Sequence, residues 1–583
     1  MVFEEGSEYM REKDHSILLK HFNESDIDNF TNTYSNIRII GNESIIDKFE
    51  EYLIIGEIDL HNKVELVAAE SDAADLLKMT SHQVILRLYL RYGSNVLNRI
   101  LGEFSFVIIH TTTLSVVAAR DPIGVKTLFF ICKNNYFIAA SDLYLLRHHA
   151  DHLNHKYFIQ FHLSNGILDS EITPYKAIKR LSRGTYIKKS RHSELHTKKY
   201  WCLSFIQEEV NYKNSKDYEE HFFHILSASV ESRLIPNEVN SVMMSGGLDS
   251  TAIFAIAKTL EKKKNISVIP ISAVFDRYRE CDERQYIESV LKRYETKGKY
   301  IVADDCGIFD NFDERHGFID EPVTQSISHS FTQLILQGAK DTGATNILTG
   351  YGGDHMLNSS LGVVSDMLHQ GKIIKALKDV RTYSILKRES FMKNLLYFGV
   401  MPSLDRGVSK ELKALFDKEN IQNFKNIKTF NKKDRFTQLM GTSGHLYMDR
   451  VIAPSVGIEI NHPFLDKRVV EFLYKCPIDV MWSAEVSKPL LRKSFEAVLP
   501  HDVITRTNKT THIPLIIQGM KSKWSVLYPI LKQFRLRELD LISKNEWEDQ
   551  LLNSKHGQMK HSSIMLLMAM ELWLYQHQHK SII

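Results

Sequence analysis

The chain has 583 residues, of which 43% are hydrophobic and 25% charged, and its formal net charge is +3. This length exceeds what one hydrophobic core supports, so we expect at least two globular domains, and the small net charge gives no argument for a nucleic-acid partner. The acidic N-terminus is unlike a signal peptide and no apolar run reaches the roughly 18 residues of a membrane span, which predicts a cytoplasmic protein with no membrane partner.

Residues 1–205 are predicted to form one domain of α+β type. Short runs rich in β-branched and aromatic residues alternate with Gly, Asp and Asn, which is typical of antiparallel strands joined by turns. A helix is predicted at 81–92. Strands are predicted at 104–110, 114–119, 127–132 and 136–140.

Residues 206–583 are predicted to form a second domain, of α/β type. Strands alternate with helices along this part of the chain, and that order predicts a parallel, doubly wound sheet. The predicted strands are 241–244, 267–273, 300–303 and 346–348, and the predicted helices are 250–264, 283–294 and 328–342. Beyond about residue 360 the pattern is mainly helical.

A glycine turn between the first of these strands and its helix predicts a phosphate site. Glycines let backbone N–H groups point at an oxyanion, and the helix N-terminus adds partial positive charge. The turn lacks the lysine of a GxxxxGK(S/T) loop but carries an aspartate suited to magnesium on a departing pyrophosphate. The alternative interpretation is a serine-rich helix cap without a ligand. The turn consists of Ser245, Gly246, Gly247, Leu248, Asp249 and Ser250.

A second glycine turn follows the last predicted strand. Ligands of parallel sheets bind at the carboxyl ends of the strands, so we expect Asp249 and Asp354 to converge on one Mg²⁺–ATP. A GYGGD turn is weak evidence alone, but it is strong evidence when it follows SGGLDS in a strand–helix array. This second turn consists of Gly350, Tyr351, Gly352, Gly353 and Asp354.

Together these turns resemble those of the asparagine synthetase family, and further matches extend over nearly the whole chain. In the first half, 102–106 and 119–128 look like the family's GxFAF and ARDxxGxKPL segments. In the second half, 281–286, 462–466 and 488–492 also match in family order. The resemblance implies an N-terminal Ntn-hydrolase-like (glutaminase) domain. An α/β ATP-pyrophosphatase domain, of the adenine nucleotide alpha hydrolase-like type with a parallel sheet and a helical C-terminus, would follow.

Two departures from the family pattern bear on function. Glutamine-using members need a cysteine at the mature N-terminus, whereas position 2 here is Val2 and the first cysteine is Cys132. The glutaminase-like domain is therefore expected to be degenerate. The family's ExRxPF pattern is also altered, because Asn461 stands where the arginine would bind a free amino acid carboxylate. With this change the chain most resembles lasso peptide cyclases (macrolactam synthetases) and β-lactam synthetases.

The resemblance implies an AMP-forming ligase that uses ATP and Mg²⁺. A lasso cyclase adenylates an Asp or Glu side chain of a precursor peptide, and the N-terminal amine of that peptide then closes an isopeptide macrolactam. Its expected partners are the precursor core peptide, a leader peptidase and a leader-binding protein. The alternative is an ammonia-dependent asparagine synthetase or another asparagine synthetase-like amide ligase.

The resemblance also implies roles for individual residues. Tyr351 would act in a base dyad with Asp449, or would only pack on the phosphate turn. Lys509 would neutralise charge on the transferring phosphoryl group. Four further contacts to ATP are implied at the adenosine and pyrophosphate ends. They are the backbone groups of Val242, Met243 and Ser272, which would contact the adenosine, and Lys488, whose alternative role is to start a helix.

Overall fold

The strands of the first half form two sheets. The computed structural model describes residues 15–18, 31–34, 37–40, 46–133, 136–149, 152–166, 170–191, 193–307, 309–310, 321–404, 418–508, 510, 513–556 and 563–580. In these ranges one sheet has the order β10-β8-β9-β1-β3-β2 and the other the order β12-β11-β7-β6-β5-β4. The strands are β1 His15–Leu18, β2 Thr31–Tyr34, β3 Ile37–Ile40, β4 Ile46–Phe49, β5 Tyr52–Leu60, β6 Gly102–His110, β7 Val116–Arg120, β8 Phe129–Lys133, β9 Tyr136–Ala140, β10 Lys179–Arg180, β11 Thr185–Lys189 and β12 His196–Lys199.

Apolar side chains on alternate strand positions hold this half together. Leu53 and Ile55 of one sheet meet Phe130 and Phe137 of the other in a buried cluster, because strand residues two apart point to the same face. The opposite face of β5 and β6 is covered by the helix Ser81–Tyr92. Thr80 caps that helix by accepting a hydrogen bond from the Gln83 backbone N–H at 3.1 Å.

The pairing of these strands corrects one detail of the prediction. Most pairs are antiparallel as expected, but β1 runs parallel to both of its neighbours, β3 and β9. The direction of pairing depends on how the strands are connected along the chain, which the four residues of β1 do not record. The remaining helices of this half are Lys63–Val67, Ala73–Lys78 and His155–Leu163, with 3₁₀ turns at Gly93–Asn98, Leu143–His149 and Leu203–Phe205.

The second half is built on a sheet whose five described strands all run parallel, as predicted. The order β15-β14-β13-β16-β17 means that the chain adds strands on one side of β13 and then crosses to the other side. In such sheets the crevice outside the carboxyl ends at this reversal is where ligands bind. The strands are β13 Val239–Met243, β14 Ser267–Val274, β15 Lys299–Val302, β16 Asn346–Thr349 and β17 Glu459–Asn461.

Helices cover both faces of this sheet. One of them, Leu248–Lys264, is the helix predicted after the first glycine turn, and its apolar residues Ile253 and Phe254 are fully buried. The others before the second turn are Ser215–Glu231, Arg284–Arg293 and His329–Lys340. Those after it are Gly353–Leu357, Val363–His369, Ile373–Lys387, Phe391–Asn394, Met401–Leu404, Lys418–Asn426, Phe430–Met440, Ser443–Val456, Lys467–Lys475, Ile478–Met481, Pro489–Phe495, His501–Thr505, Ile513–Leu531, Lys544–Lys555 and Ser563–Lys580, with a π-helical segment at Leu395–Val400.

The terminal helix Ser563–Lys580 joins the two halves through apolar contacts. Its Trp573 ring lies 5.6 Å from Phe158 and 6.2 Å from Tyr175 of the first half, between ring centroids. The same buried cluster includes Phe129 of β8 and Ile347 of β16. Among the described residues no helix combines the length and apolar character needed to cross a bilayer.

A buried chain of charges forms a second link between the halves. Arg233 donates to Glu103 of β6 at 3.1 Å and to Asp466 at 2.8 Å. Burial alone would raise the pKa of Glu103, but His61 and Arg233 hold it well below its usual value. Burial also opposes ionisation of Asp466, whose pKa is again lowered by Arg233 and by Arg468.

Candidate active site

The first glycine turn leaves β13 and is held in shape by its own hydroxyl groups. The backbone N–H of Ser245 donates to the Ser250 hydroxyl at 3.1 Å, and that of Gly247 donates to the Ser245 hydroxyl at 3.2 Å. The Thr251 hydroxyl donates to the Gly247 carbonyl at 2.9 Å. Leu248 begins the helix, so the turn places the helix N-terminus in the crevice at the carboxyl end of β13.

The second glycine turn packs directly against the first. A Cβ at Gly350 would lie 2.6 Å from the Ser250 backbone nitrogen, and a Cβ at Gly353 would lie 2.6 Å from the Asp249 carboxyl carbon. Gly352 has a φ of +93°, in the left-handed region. The turn therefore needs glycine at all three positions, and the structure brings the two predicted motifs into contact.

Asp249 and Asp354 converge on a single cation, the ammonium of Lys488. The Lys488 Nζ lies 2.6 Å from Asp354 Oδ1 and also contacts Asp249 Oδ2. Lys488 has a φ of +54° and immediately precedes the helix Pro489–Phe495, so it both starts a helix and reaches the site. The buried ammonium shows that the two carboxylates can share one positive charge.

This donor set fits a magnesium ion that arrives with a nucleotide. Magnesium in nucleotide sites takes one or two protein carboxylates and completes its shell with phosphate oxygens and water. Asp249 and Asp354 supply two carboxylates, and in the described ranges no group of three or more His, Cys, Asp and Glu side chains could hold a metal by itself. The close approach at Gly350 and Gly353 keeps both carboxylates beside the phosphate turn.

A second ion pair at the site was not predicted from the sequence. Arg506 donates to the Gly246 carbonyl at 2.7 Å and to the Glu283 carboxylate at 2.6 Å. The Gly246 backbone N–H in turn donates to Glu283 at 3.1 Å, and the Arg506 guanidinium lies 4.0 Å from the Tyr286 ring centroid. The Glu283 carboxylate thus accepts a hydrogen bond from the Gly246 N–H of the phosphate turn, which shows that this N–H can bind an anion.

Arg506 also links the turn to the segment that contains Lys509. Its side chain donates to the Asn508 carbonyl at 2.8 Å and to the Thr510 hydroxyl at 2.9 Å. Lys509 itself lies outside the described residues, so its role remains a prediction. Its two neighbours in sequence are anchored to the phosphate turn through Arg506. Glu283 follows the Cys281-Asp282 pair of a matched family segment, which was the one sequence signal that could have found this ion pair.

Tyr351 packs between two histidines beside the second turn. Its ring centroid lies 5.0 Å from that of His355 and 5.3 Å from that of His462, and its hydroxyl donates to the Thr442 carbonyl at 3.2 Å. Thr442 precedes the helix Ser443–Val456, in which Asp449 lies seven residues further on, about 10 Å along the axis. The Asp449 side chain is outside the described part of the structure, so a Tyr351–Asp449 dyad remains a prediction.

The three residues predicted at the adenosine lie within the sheet. Val242 and Met243 pair with β14 on one side and with β16 on the other. Ser272 is buried, and its hydroxyl donates to the Met244 carbonyl at 2.6 Å. The strands place all three near the start of the phosphate turn, but a contact of their backbone groups with adenosine remains a prediction.

Asn461, which replaces the family arginine, is buried in a ladder of asparagines across the sheet. Its amide donates to the Asn346 side chain at 2.9 Å, and Asn346 donates to the Asn240 side chain at 2.9 Å. All three are at least 97% buried. The position therefore carries no positive charge, and its amide nitrogen is used inside the fold.

A parallel sheet with two glycine turns and paired aspartates at its strand-order reversal defines a nucleotide-binding α/β protein. Residues 221–575 match the asparagine synthase family and residues 38–201 match the glutamine amidotransferase domain. The chain belongs to the asparagine synthase family. Its fold is accordingly a glutamine amidotransferase-like Ntn domain followed by an asparagine synthase domain, as predicted.

Known relatives agree with this assignment. The chain is 25% identical over 536 residues to "Asparagine synthetase (glutamine-hydrolyzing) 3" of Bacillus subtilis (strain 168), covering 84% of this chain and 82% of the relative. It is 21% identical over 509 residues to "Asparagine synthetase (glutamine-hydrolyzing) 1" of the same organism, covering 82% and 78%. A solved glutamine phosphoribosylpyrophosphate amidotransferase from B. subtilis matches at 11% identity and a TM-score of 0.20, over 52% of this chain and 63% of that one. We draw nothing from a match at that TM-score.

Proposed function

We propose that the protein is an ATP-dependent, AMP-forming C–N ligase that joins a carboxylate to an amine without taking ammonia from glutamine. Membership of the asparagine synthase family supports an ATP-dependent ligase. The observation that carries the proposal is the convergence of Asp249, Asp354 and Lys488 where the two glycine turns touch. This arrangement suits the release of pyrophosphate, the most highly charged product.

In the first half-reaction a substrate carboxylate oxygen attacks the α-phosphorus of ATP, and the bond to the β-phosphate oxygen breaks. The backbone N–H groups of the first turn and the Lys488 ammonium stabilise the charge on the leaving pyrophosphate. Asp249 and Asp354 would hold Mg²⁺, which supplies further neutralisation of that charge. Exclusion of water from the crevice when substrates are bound would protect the acyl-adenylate from hydrolysis.

In the second half-reaction an amine nitrogen attacks the acyl carbon and AMP departs, while the amine loses one proton. An α-amine has a pKa of about 7.7–8.0, so part of it is already neutral near pH 7.5. The demand on a general base is therefore modest. Tyr351 is the side chain of the second turn that we assign to this proton, with orientation from Thr442.

The first half of the chain does not offer a glutaminase nucleophile. Its two cysteines are Cys202, which is buried, and Cys132 in β8, where burial raises the pKa of the thiol. A thiol with a raised pKa is mostly protonated at neutral pH and is a weak nucleophile. The amine is thus proposed to come from ammonium or from the substrate itself.

The relatives named above are glutamine-hydrolyzing asparagine synthetases, which supports asparagine as the product. Since we propose that the first half here does not hydrolyse glutamine, the carboxylate in that case would be aspartate and the amine would come from ammonium. A second candidate is favoured by Asn461, because a buried neutral amide cannot pair with a free amino acid carboxylate as an arginine does. That candidate is intramolecular ligation of the lasso cyclase type, on a precursor core peptide supplied by a leader peptidase and a leader-binding protein.

The two candidate functions can be distinguished by the carboxylate substrate that each requires. Exchange of labelled pyrophosphate into ATP should require aspartate in one case and a peptide with an Asp or Glu side chain in the other. Product analysis should then show asparagine from aspartate and ammonium, or a peptide lighter by one water. Glutamine should not replace ammonium in the first assay. Efficient use of glutamine would overturn the proposal that the first half is not a glutaminase.

A further inference from the structure

The helices that follow the second glycine turn expose an unusual number of large apolar side chains. Across the described residues, 22 large hydrophobic side chains are exposed, and ten of these lie between residues 373 and 401. We call these ten the apolar stripes. They are Ile373, Ile374, Leu377, Ile385, Leu386, Met392, Leu396, Tyr397, Val400 and Met401.

The apolar stripes lie on helices that are themselves packed against the rest of the protein. The helices Val363–His369 and Ile373–Lys387 bury Val364, Met367, Ala376 and Val380 in a cluster of their own. The outward side of the helix Ile373–Lys387 leaves Ile374 at 86% and Ile385 at 67% exposure. A helix with one face buried and an apolar opposite face has a second surface that is suited to a partner.

The stripes lie in a strongly basic part of the chain. Residues 372–404 contain seven Lys and Arg against two Asp and Glu, a net of +5, whereas the whole chain carries +3. Asp479 pairs with Lys372 and Lys375. No carboxylate in the described ranges pairs with the other five, which are Lys378, Arg381, Lys387, Arg388 and Lys393.

Arg381 lies inside a stripe, because Leu377 and Ile385 are one turn before and one turn after it on the helix Ile373–Lys387. A guanidinium there is costly to insert into lipid hydrocarbon, which argues against a membrane as the occupant. A second copy of the chain would bring the same excess of positive charge onto this surface, which argues against self-association. A carboxylate flanked by apolar side chains complements it in both charge and hydrophobicity.

We propose that the apolar stripes and their basic residues form a docking surface for an acidic polypeptide segment with apolar side chains. Along the chain, the residues of this surface follow one segment of the active site and precede another. Its first residue, Ile373, lies 19 residues after Asp354, and the buried cluster beneath it includes Trp482, six residues before Lys488. Docking at this surface does not depend on which amide the ligase forms.

Fluorescence anisotropy on the full chain tests the proposal with three labelled helical peptides: Glu/Leu, Lys/Leu and Glu/Ser. The Glu/Leu peptide is expected to bind at least about tenfold more tightly than either of the others. Arg381→Ser is expected to weaken that binding about tenfold, and Ile374→Ser with Ile385→Ser to weaken it similarly. Leu552→Ser, at an exposed apolar position on the helix Lys544–Lys555, is the control and should change nothing.

Three outcomes would overturn the proposal. Equal binding of the Glu/Leu peptide to the wild type and to the Ile374→Ser/Ile385→Ser variant would show that the surface is not the site. Binding to phosphatidylserine-containing vesicles but to none of the peptides would assign the surface to a membrane. Self-association that the same double variant abolishes would assign it to a second copy. Mg²⁺–ATP affinity, measured in parallel, should be unchanged in these variants and serves as the test that they are folded.

Discussion

The two halves of the chain use buried charge differently. In the first half, Asp121 accepts hydrogen bonds from the backbone N–H groups of residues 123 to 126, and Arg120 donates to three carbonyls. These charges satisfy the backbone of a loop. In the second half, Lys488 forms ion pairs with Asp249 and Asp354 beside the crevice at the carboxyl ends of the parallel strands.

We interpret this as a difference between buried charge that holds a loop and buried charge placed beside a nucleotide crevice. The oxygens of Asp121 are occupied by four backbone N–H groups and are not free to bind a substrate. Asp249 and Asp354 share the Lys488 ammonium, and they can exchange it for another cation. The first half also packs on the second, through the ion pair of Glu103 with Arg233 and through the contacts of the terminal helix. Substitutions in the two halves should therefore affect different measurements.

The largest effect on catalysis is expected for Asp249→Asn. Loss of one of two converging carboxylates removes charge where pyrophosphate leaves, and ATP–pyrophosphate exchange should fall about 1000-fold. Stability should change little, because asparagine has the same shape. Asp305→Asn, at an exposed carboxylate paired with Arg277, is the matched control. A loss of less than about tenfold in Asp249→Asn would exclude a central role for this carboxylate.

The largest effect on stability is expected for Arg233→Met. Among the ion pairs of the described residues, removing the shared partner leaves buried Glu103 with only His61 and buried Asp466 with only Arg468, which should cost about 3–5 kcal/mol in the free energy of unfolding by urea. Lys216→Met breaks an exposed pair with Glu220 and should cost less than about 1 kcal/mol. Similar costs in both variants would contradict the proposed role of the buried link.

The same variant has an expected pH dependence. The pKa values of Glu103 and Asp466 are lowered in the folded chain, so their stabilisation is present above the unfolded values of about 4 and is lost as pH falls through the folded values. In Arg233→Met, burial is no longer opposed by the guanidinium and raises both pKa values. The stability difference from wild type should be largest near neutral pH and should narrow below about pH 5. A difference that stays constant with pH would mean that the loss is one of packing alone.

A smaller effect is expected for Arg506→Ala. Its guanidinium positions the Asn508 and Thr510 segment on the phosphate turn, and a lost charged hydrogen-bond network is typically worth about 2 kcal/mol, or about 30-fold in kcat/KM for ATP. Arg506→Lys should recover part of this loss. Arg277→Ala, at an exposed ion pair, is the control. A change in unfolding free energy with unchanged ATP kinetics would show that Arg506 is only structural.

The smallest effect is expected for Cys132→Ala. If the first half has no glutaminase activity, the rate with ammonium or a peptide amine should stay within about twofold, because this thiol is not a nucleophile. The assay compares glutamine and ammonium as nitrogen sources before and after the substitution. Glutamine-dependent activity that disappears in Cys132→Ala would reverse the assignment of this half.

Local sequence signals predicted much of the fold. The helix Ser81–Tyr92 and the strand Tyr136–Ala140 have the expected bounds, because each has a clear apolar pattern between turn residues. The parallel sheet followed from the alternation of strands and helices. β17 was not predicted, because three residues carry no measurable periodicity.

Of the candidate site, the sequence predicted the parts that are formed by short continuous motifs. The two turns are continuous in sequence, and each has glycines where the backbone needs them. The contact of Lys488 with Asp249 joins residues 239 positions apart, and that of Arg506 with Glu283 joins residues 223 apart. Such pairs depend on how helices pack onto the sheet, which no local pattern records.

The position of the terminal helix has a consequence for how the chain is made. Its Trp573 completes a cluster begun by Phe129 and Phe158, so part of the first sheet stays uncovered until the last helix has been synthesised. At about 5–20 residues per second, the ribosome takes roughly 20–90 s to add the intervening residues. During that interval the nascent chain carries an exposed apolar sheet face, and it is then that protection by a chaperone would matter most.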